Sequence, residues 1–174
     1  MVTATIDAPA QAVDAVWSLL QSIPDPEIPV ISICDLGIVR EVRTDAAGNA
    51  EEIVITPTYS GCPAMHVIEE DIRSKLAASG FPNVRITTTL TPAWSTDWMS
   101  EAGRARLAEY GIAPPGPADN TAVVRFVTRR HALPACPLCG STDTERLSEF
   151  GSTACKALYR CLECREPFDY FKPI

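Results

Sequence analysis

The stretch that decides the fold is IVITPTYSGCPAMHVIEEDIRSKLAASGFPNVRITTTL, residues 53–90. It opens with an apolar, β-branched run that is typical of a buried strand. A helix is predicted over 63–79, with Gly80 as its stop. Its inward residues recur at helical spacing and are Met65, Ile68, Ile72 and Leu76. Residues 84–90 alternate apolar and polar side chains like a strand. This strand–helix–strand order predicts a small mixed sheet with helices packed on it.

The segments before this stretch are predicted to add a helix, a loop and a strand to the same domain. Residues 7–21 predict a first helix with Asp7 as its N-cap and a buried stripe formed by Val13, Val16, Trp17 and Leu20. Residues 38–43 and 51–58 predict two strands joined by the turn TDAAGN. Between helix and strands, residues 22–37 hold three prolines, which remove amide donors and favour extended backbone, so this segment is predicted to be a stiff loop.

After the third strand the pattern becomes loop-rich. TPAWSTDW, residues 91–98, is predicted to be a loop, and Ser100 is predicted to cap a short helix that ends near Tyr110. GIAPPGPADN, residues 111–120, is predicted to be a Pro/Gly linker. Residues 121–127 could add a strand or lead into the tail.

Composition and charge exclude several classes of protein. Apolar residues make up 46% of the 174 residues and charged residues 21%, which argues against disorder. No apolar run approaches the roughly 18 residues that span a bilayer, and Asp7 and Asp14 stand where a signal peptide would be apolar, so a cytoplasmic protein without membrane contact is predicted. Residues 1–120 carry 7 basic and 16 acidic side chains, which would repel phosphate and make nucleic acid a poor partner.

The tail carries the most specific motif of the chain. Two C-x-x-C pairs, Cys136 with Cys139 and Cys161 with Cys164, are separated by 21 residues. Such pairs hold one Zn²⁺ tetrahedrally through four thiolates, with a β-hairpin between the two turns. A tail of about 40 residues cannot build a sufficient apolar core, so the metal would supply most of its folding free energy. A redox dithiol, an Fe–S cluster and unrelated cysteine pairs are the alternatives.

These patterns together predict an α/β (α+β) protein. Its parts are an α/β domain at 1–111, a Pro/Gly-rich linker with a bridging strand at 112–133, and a zinc ribbon at 134–174. Four basic residues of the ribbon are expected to moderate the negative charge of the thiolates: Arg146, Lys156, Arg160 and Arg165. Cys155 is surplus to a tetrahedral site and is either a buried small residue or an alternate ligand or exchangeable thiol.

Cys62 is the candidate reactive group of the first domain. It lies between Gly61 and Pro63 at a strand-to-helix junction, where it is predicted to be the helix N-cap. Helix-start amides and the helix dipole would then lower the pKa of its thiol and make it nucleophilic or metal-binding; a buried structural cysteine is the alternative. Gly61 would let a partner approach the backbone closely. His66 could join a metal grip or simply be solvated.

Two carboxylates flank a proline in the stiff loop. Asp25 and Glu27 stand on either side of Pro26, so both side chains could project the same way, as site residues or as turn caps. Asp35 has the same two interpretations, and Cys34 is expected in the core. Trp94 and Trp98, in the 91–98 loop, are either core lids or a partner-contact surface.

Two of these motifs resemble a known family. DPEIPVISICDLGIV, residues 25–39, and TPTYSGCPA, residues 56–64, resemble the metal–sulfur cluster assembly factors that include SufT. The family's Asp-Pro-Glu falls on residues 25–27, its Gly-Cys-Pro on residues 61–63, and its threonines on Thr56 and Thr58. The added cysteine-rich tail is similar to that of a member that serves the phenylacetyl-CoA ring epoxidase of aerobic phenylacetate degradation.

The resemblance implies an accessory factor that helps to assemble or insert an iron–sulfur or iron centre. It implies a transient iron ion or Fe–S cluster at Cys62, Asp25, Glu27, Thr58 and Gly61, and structural zinc in the tail. The implied partners are the epoxidase subunits, above all the Fe–S reductase or the di-iron subunit, and a homodimer could pair two Cys62 thiols. Two alternatives stay open: a catalytic or thiol-redox subunit that uses Cys62, and an adaptor that binds a partner through its ribbon.

Overall fold

The computed structural model describes residues 8–116 and 133–174, which form two compact units divided between Trp94 and Ser95. The predicted cap Asp7 and the predicted strand at 121–127 lie outside the described residues. Among the helices of the described ranges, none has the length and apolarity that crossing a bilayer requires. The domain boundaries predicted at 111 and 133 stay a prediction.

The first unit is a three-stranded mixed sheet with two helices. In chain order its elements are α1 Ala8–Gln21, β1 Val39–Thr44, β2 Ala50–Ile55, α2 Ala64–Ala78 and β3 Arg85–Thr88. The strand order is β1-β2-β3, with β1 antiparallel and β3 parallel to β2. Because parallel neighbours need a long crossover, α2 connects β2 to β3. The fold class predicted from residues 53–90 is confirmed.

The core of this unit is formed by buried side chains of α1, β2 and α2. The last three residues of β2 are buried on both faces of the sheet, and α1 lies against β1, β2 and α2. The side chains of α2 that face inward are Ala64, Ile68, Ile72 and Leu76, which are at most 7% exposed. Burying each of the three large ones stabilises the fold by about 1.5–3 kcal/mol.

Element ends differ slightly from the sequence prediction, for local reasons. β2 ends at Ile55 instead of residue 58, since Pro57 has no amide to continue the ladder. The helix α2 begins at Ala64, so Pro63 is its N-cap and Cys62 precedes the cap. The prediction that Cys62 itself caps the helix is therefore wrong by one position.

The second unit is built on a four-stranded sheet. Its elements are a 3₁₀ turn at Thr96–Trp98, α3 Glu101–Glu109, β4 Ile112–Ala113, β5 Thr144–Ser148, β6 Lys156–Cys161 and β7 Pro167–Phe171. Ser100 caps α3 as predicted, with its Oγ accepting from the Gly103 amide at 2.9 Å. The strand order is β4-β7-β6-β5, antiparallel except that β4 runs parallel to β7. The segment predicted as linker thus contributes a short strand, β4.

Candidate metal sites

The four tail cysteines converge on one point. Their sulfur atoms all lie within 4.8 Å of one another, with Cys136 and Cys164 separated by 3.8 Å and Cys139 and Cys161 by 3.5 Å. Four thiolates around Zn²⁺ at about 2.3 Å lie about 3.8 Å apart, so the donor set fits a tetrahedral zinc ion. These four residues would hold the metal, which would join the two cysteine turns of the ribbon.

Each cysteine pair forms a tight turn that aims its sulfurs at the same point. In the first, the Gly140 amide donates to the Cys136 carbonyl at 2.8 Å; in the second, the Cys164 amide donates to the Cys161 sulfur at 3.5 Å. Gly140 and Arg165, the residues that follow the pairs, both adopt positive φ. Amides from Cys164 and Glu163 lower the pKa of Cys161 to about 7.

Three basic residues of the ribbon form ion pairs with carboxylates. Arg146 pairs with Glu149, Arg160 with Glu145, and Lys156 with Asp169 at 3.5 Å. The expectation that the basic residues of the ribbon moderate the thiolate charge stays a prediction.

The fifth tail cysteine is a buried core residue. Cys155 is 4% exposed, and its sulfur lies 3.0 Å from the Thr153 hydroxyl, outside the four-cysteine cluster. This agrees with the interpretation of Cys155 as a buried small residue. None of the chain's seven cysteines, all of which lie in the described ranges, forms a disulfide.

Cys62 lies at the start of α2, in an environment that differs from the prediction. Its side chain is half-buried, and burial is the largest cause that raises the pKa of its thiol. Glu27 and Asp25 raise this pKa further, while the Ala64 amide and the Tyr59 hydroxyl lower it through hydrogen bonds. The prediction that the helix start lowers the pKa of Cys62 is wrong, because desolvation and two carboxylates outweigh the helix-start amide.

The two carboxylates of the stiff loop lie close enough to Cys62 to raise the pKa of its thiol. Asp25 is 4% exposed, and its Oδ1 accepts from the amides of Glu27 at 2.9 Å and Ile28 at 2.8 Å. The Asp25 amide donates to the Ile31 carbonyl at 2.9 Å. One carboxylate oxygen of Asp25 is therefore held by hydrogen bonds within the turn. Glu27 is less buried than Asp25.

The other predicted site residues differ in burial. Thr58 is 7% exposed and Gly61 is exposed, with φ of +88° and no atom within 4 Å of an added Cβ. Thr56 is 1% exposed. His66 is exposed and lies 3.6 Å from Glu70.

Three residues singled out by sequence serve the core. Trp94 is buried, and its Nε1 donates to the Leu36 carbonyl at 3.1 Å, so it is a core lid. Asp35 accepts from the Ser32 hydroxyl at 2.9 Å, which closes a turn of the stiff loop. Burial raises the pKa of Cys34 to about 12, and Asp35 adds to the rise.

Comparisons with known proteins match both the first part of the chain and its cysteine-rich tail. Residues 13–87 match the family described as iron-sulfur cluster assembly protein, and residues 120–172 match the PaaD zinc beta ribbon domain. Over 167 residues the chain is 52% identical to an Escherichia coli protein named as a subunit of "Putative 1,2-phenylacetyl-CoA epoxidase", covering 96% of each chain. The chain belongs to the PaaD family.

Shorter relatives of this PaaD-family chain match its first unit. A Porphyromonas gingivalis protein named Fe-S protein maturation auxiliary factor is 36% identical over 98 residues, which are 56% of this chain and 91% of that protein. A crystal structure of a DUF59 domain from Bacillus anthracis has a TM-score of 0.50 and 29% identity, covering 56% of this chain and 92% of that one. The resemblance stated from the sequence motifs is confirmed.

Sequence reasoning missed one residue of the Cys62 environment. Tyr59 is half-buried, its backbone carbonyl accepts from the Cys62 amide at 3.2 Å, and its side chain acts to lower the pKa of the Cys62 thiol. The signal available in the sequence was the tight spacing of YSGC, in which a glycine before the cysteine permits a turn that folds residue 59 towards residue 62.

Proposed function

We propose that this PaaD-family protein is an accessory factor that takes up iron, or a nascent iron–sulfur cluster, at Cys62 and passes it to a phenylacetyl-CoA epoxidase. The observation that carries the proposal is the grouping of the Cys62 sulfur with the Glu27 and Asp25 carboxylates beside the start of α2. The printed names of the relatives support it, since one is named as part of such an epoxidase and another as an Fe-S maturation factor.

The chemistry of these groups suits iron as cargo. A thiolate is a soft ligand that favours iron and Fe–S clusters, and a carboxylate oxygen adds a charged ligand from the other side. Glu27 is the better candidate ligand, because one oxygen of Asp25 already holds two amides of the turn. Asp25 would then act by positioning Glu27, while Thr58 lines the site.

One cysteine is too few for a permanent four-thiolate cluster, so the cargo would complete its coordination elsewhere. Sulfide, a second copy of the chain or the receiving protein would provide the remaining ligands. Gly61 helps here, because it is exposed and has open space above it through which a partner could approach. Such incomplete ligation favours transfer over storage.

The ribbon would act as a zinc-stabilised docking module for the client. The candidate clients are the Fe–S reductase and the di-iron subunit of the epoxidase, and a homodimer could pair two Cys62 thiols. We also propose that the protein works in the cytoplasm, where its seven free cysteines would remain reduced.

The test is anaerobic reconstitution of the zinc-loaded protein with Fe²⁺ and sulfide, followed by transfer to the cluster-free epoxidase reductase. The wild type should bind iron beyond its zinc and restore reductase activity, and Cys62→Ser should lose both. Cys34→Ser, a matched change at the other cysteine of the first unit, should behave like the wild type. Equal transfer by Cys62→Ser would overturn the proposal, and turnover of an acyl-CoA or disulfide substrate by the isolated chain would favour a catalytic role.

A further inference from the structure

The turn between β5 and β6 is tied to the neighbouring strands by several polar contacts. The Gly151 amide donates to the Lys156 carbonyl at 2.8 Å, and the Ser152 hydroxyl donates to the Asp169 carboxylate at 3.2 Å. Asp169 also lies 3.5 Å from the ammonium group of Lys156, whose side chain is 5% exposed. An added Cβ at Gly151 would lie 2.7 Å from an oxygen of Asp169, so the turn packs tightly there. Residues held in this way lose little conformational freedom when a partner binds.

This turn presents an exposed aromatic side chain. Phe150 is 62% exposed, and the Lys172 ammonium group lies 4.5 Å from the centre of its ring. The same ammonium group donates to the Glu149 carbonyl at 3.2 Å. A single exposed apolar side chain is ordinary on a protein surface, so the ring indicates a contact site only together with what lies next to it.

Lys172, which lies over this ring, also lines a pocket of about 170 Å³. Tyr159 and Tyr170 line the pocket too, and their rings are nearly perpendicular, with centroids 5.5 Å apart. Arg146 and Glu149 add charged groups to its lining. Sites for small molecules usually measure roughly 300–1,000 Å³, so this pocket suits one large side chain of a protein better than a cofactor. Tyrosine and arginine are enriched among the residues that dominate protein–protein binding.

The charges around the pocket leave one cation without an acidic partner. Arg146 forms an ion pair with Glu149, so these two charges largely cancel. Within residues 8–116 and 133–174, no carboxylate forms an ion pair with Lys172, whose ammonium group instead contacts a backbone carbonyl and the Phe150 ring. A carboxylate next to a large apolar side chain is therefore the complementary group that a partner would bring.

We propose that this part of the ribbon binds the receiving epoxidase subunit through an acidic segment of that subunit. The segment places a large apolar side chain in the pocket and a carboxylate on Lys172, while Phe150 packs against it and excludes water from the new ion pair. The proposal rests on the proposed function for the identity of the partner, and it names the surface that docks the client. We call this surface the ribbon tip; it consists of Arg146, Glu149, Phe150, Tyr159, Tyr170 and Lys172.

The test measures binding of the zinc-loaded full chain to the purified Fe–S reductase and, separately, to the di-iron subunit. The variants are Phe150→Ala, which removes the exposed ring, and Lys172→Met, which removes the charge and keeps an unbranched side chain. The matched control is Leu138→Ala, because Leu138 is also in the ribbon, is 58% exposed and lies outside the ribbon tip. Each Kd is measured at low and at high salt, with zinc content and sedimentation as checks on folding and association.

We expect the wild type to bind one of the two subunits and Leu138→Ala to bind it equally well. Phe150→Ala should weaken binding by about tenfold or more, as for an aromatic residue that anchors an interface. Lys172→Met should weaken binding about two- to fivefold at low salt and less at high salt, because salt screens an exposed ion pair.

Equal affinity of all four proteins, or equal loss in Leu138→Ala and Phe150→Ala, would overturn the ribbon tip as the docking surface. A wild-type dimer that Phe150→Ala converts to monomer would also overturn it, since the occupant would then be a second copy of the chain. Iron uptake at Cys62 is measured separately and should be the same in all four proteins. Failure of the wild type to take up iron would therefore overturn the proposed function, whereas unchanged subunit binding with normal iron uptake overturns only the docking surface.

Discussion

Gly140 and Arg165 occupy equivalent positions in the two cysteine turns, with φ of +77° and +69°. Each directly follows the second cysteine of its pair, where the backbone must reverse for both sulfurs to face the metal. Glycine adopts this region freely, whereas a residue with a Cβ is disfavoured by roughly 1–2 kcal/mol. The second turn therefore carries strain that the first does not.

Replacing Arg165 by glycine should stabilise the zinc-loaded protein by about 1 kcal/mol, since it removes this backbone strain. Gly140→Ala should destabilise it by a similar amount, and through the backbone alone, because an added Cβ at Gly140 meets no atom within 4 Å. Thermal unfolding of both variants measures the two effects. Equal destabilisation by both would contradict the strain argument.

Removing zinc should unfold the ribbon while the first unit keeps its structure. The ribbon core is small, built from Ala113, Cys136, Ala157, Tyr159, Cys161 and Phe168, and two of its six residues are metal ligands. The first unit has its own apolar core on β2 and α2. Amide hydrogen exchange before and after treatment with a strong chelator should show loss of protection at 144–171 and little change at 50–78. Retained protection in the ribbon would mean that zinc is not its main source of stability.

The role of Asp25 can be separated from that of a metal ligand by two substitutions. Asp25→Ala leaves the amides of Glu27 and Ile28 without their acceptor, which should cost about 1–3 kcal/mol for each buried group. Asp25→Asn keeps an acceptor oxygen at the same place and removes the charge.

If Asp25 positions Glu27, Asp25→Asn should retain most of the stability and most of the Fe²⁺ binding, whereas Glu27→Gln should lose binding without unfolding. Urea unfolding and iron titration of the three variants provide the comparison. Loss of iron binding in Asp25→Asn equal to that in Glu27→Gln would make Asp25 a ligand instead.

Cys34 should make stability depend on pH in the alkaline range. Burial raises the pKa of its thiol from 9.0 to about 12 in the folded protein, so between these values the unfolded chain loses a proton that the folded chain keeps. Stability is then fully present below pH 9 and falls above it, by at most about 1.4 kcal/mol per pH unit and by less in practice, because Cys34 is partly exposed.

The variant Cys34→Ala should show a shallower fall in unfolding free energy between pH 9 and 11 than the wild type. Urea unfolding at a series of pH values measures this difference. Parallel curves for the two proteins would indicate that the Cys34 thiol titrates normally in the fold.

The sequence predicts well what local chemistry determines. The helix at Ala64–Ala78 follows from apolar spacing, the α3 cap from Ser100, and the zinc site from two C-x-x-C pairs, and the structure agrees with all three. The short strand Ile112–Ala113 is not predictable in this way. Its two residues stand among prolines and glycines, and only pairing with Asp169 and Tyr170, far along the chain, makes them a strand.

The environment of Cys62 shows the same limit. Position at a helix start predicts a lowered pKa, and the Ala64 amide does act in that direction. The pKa of Cys62 is raised by burial and by Glu27 and Asp25, which lie 35 and 37 positions away in sequence. The size of these effects therefore depends on tertiary packing. The turn that joins Tyr59 to Cys62 likewise contains Gly61, whose φ of +88° a residue with a Cβ rarely adopts.

The most direct test of the account is the stoichiometry of iron on the zinc-loaded full chain after anaerobic reconstitution, compared between wild type, Cys62→Ser and Cys34→Ser. The account predicts iron in wild type and Cys34→Ser, none above background in Cys62→Ser, and one zinc per chain in all three. Iron bound equally by Cys62→Ser would contradict it.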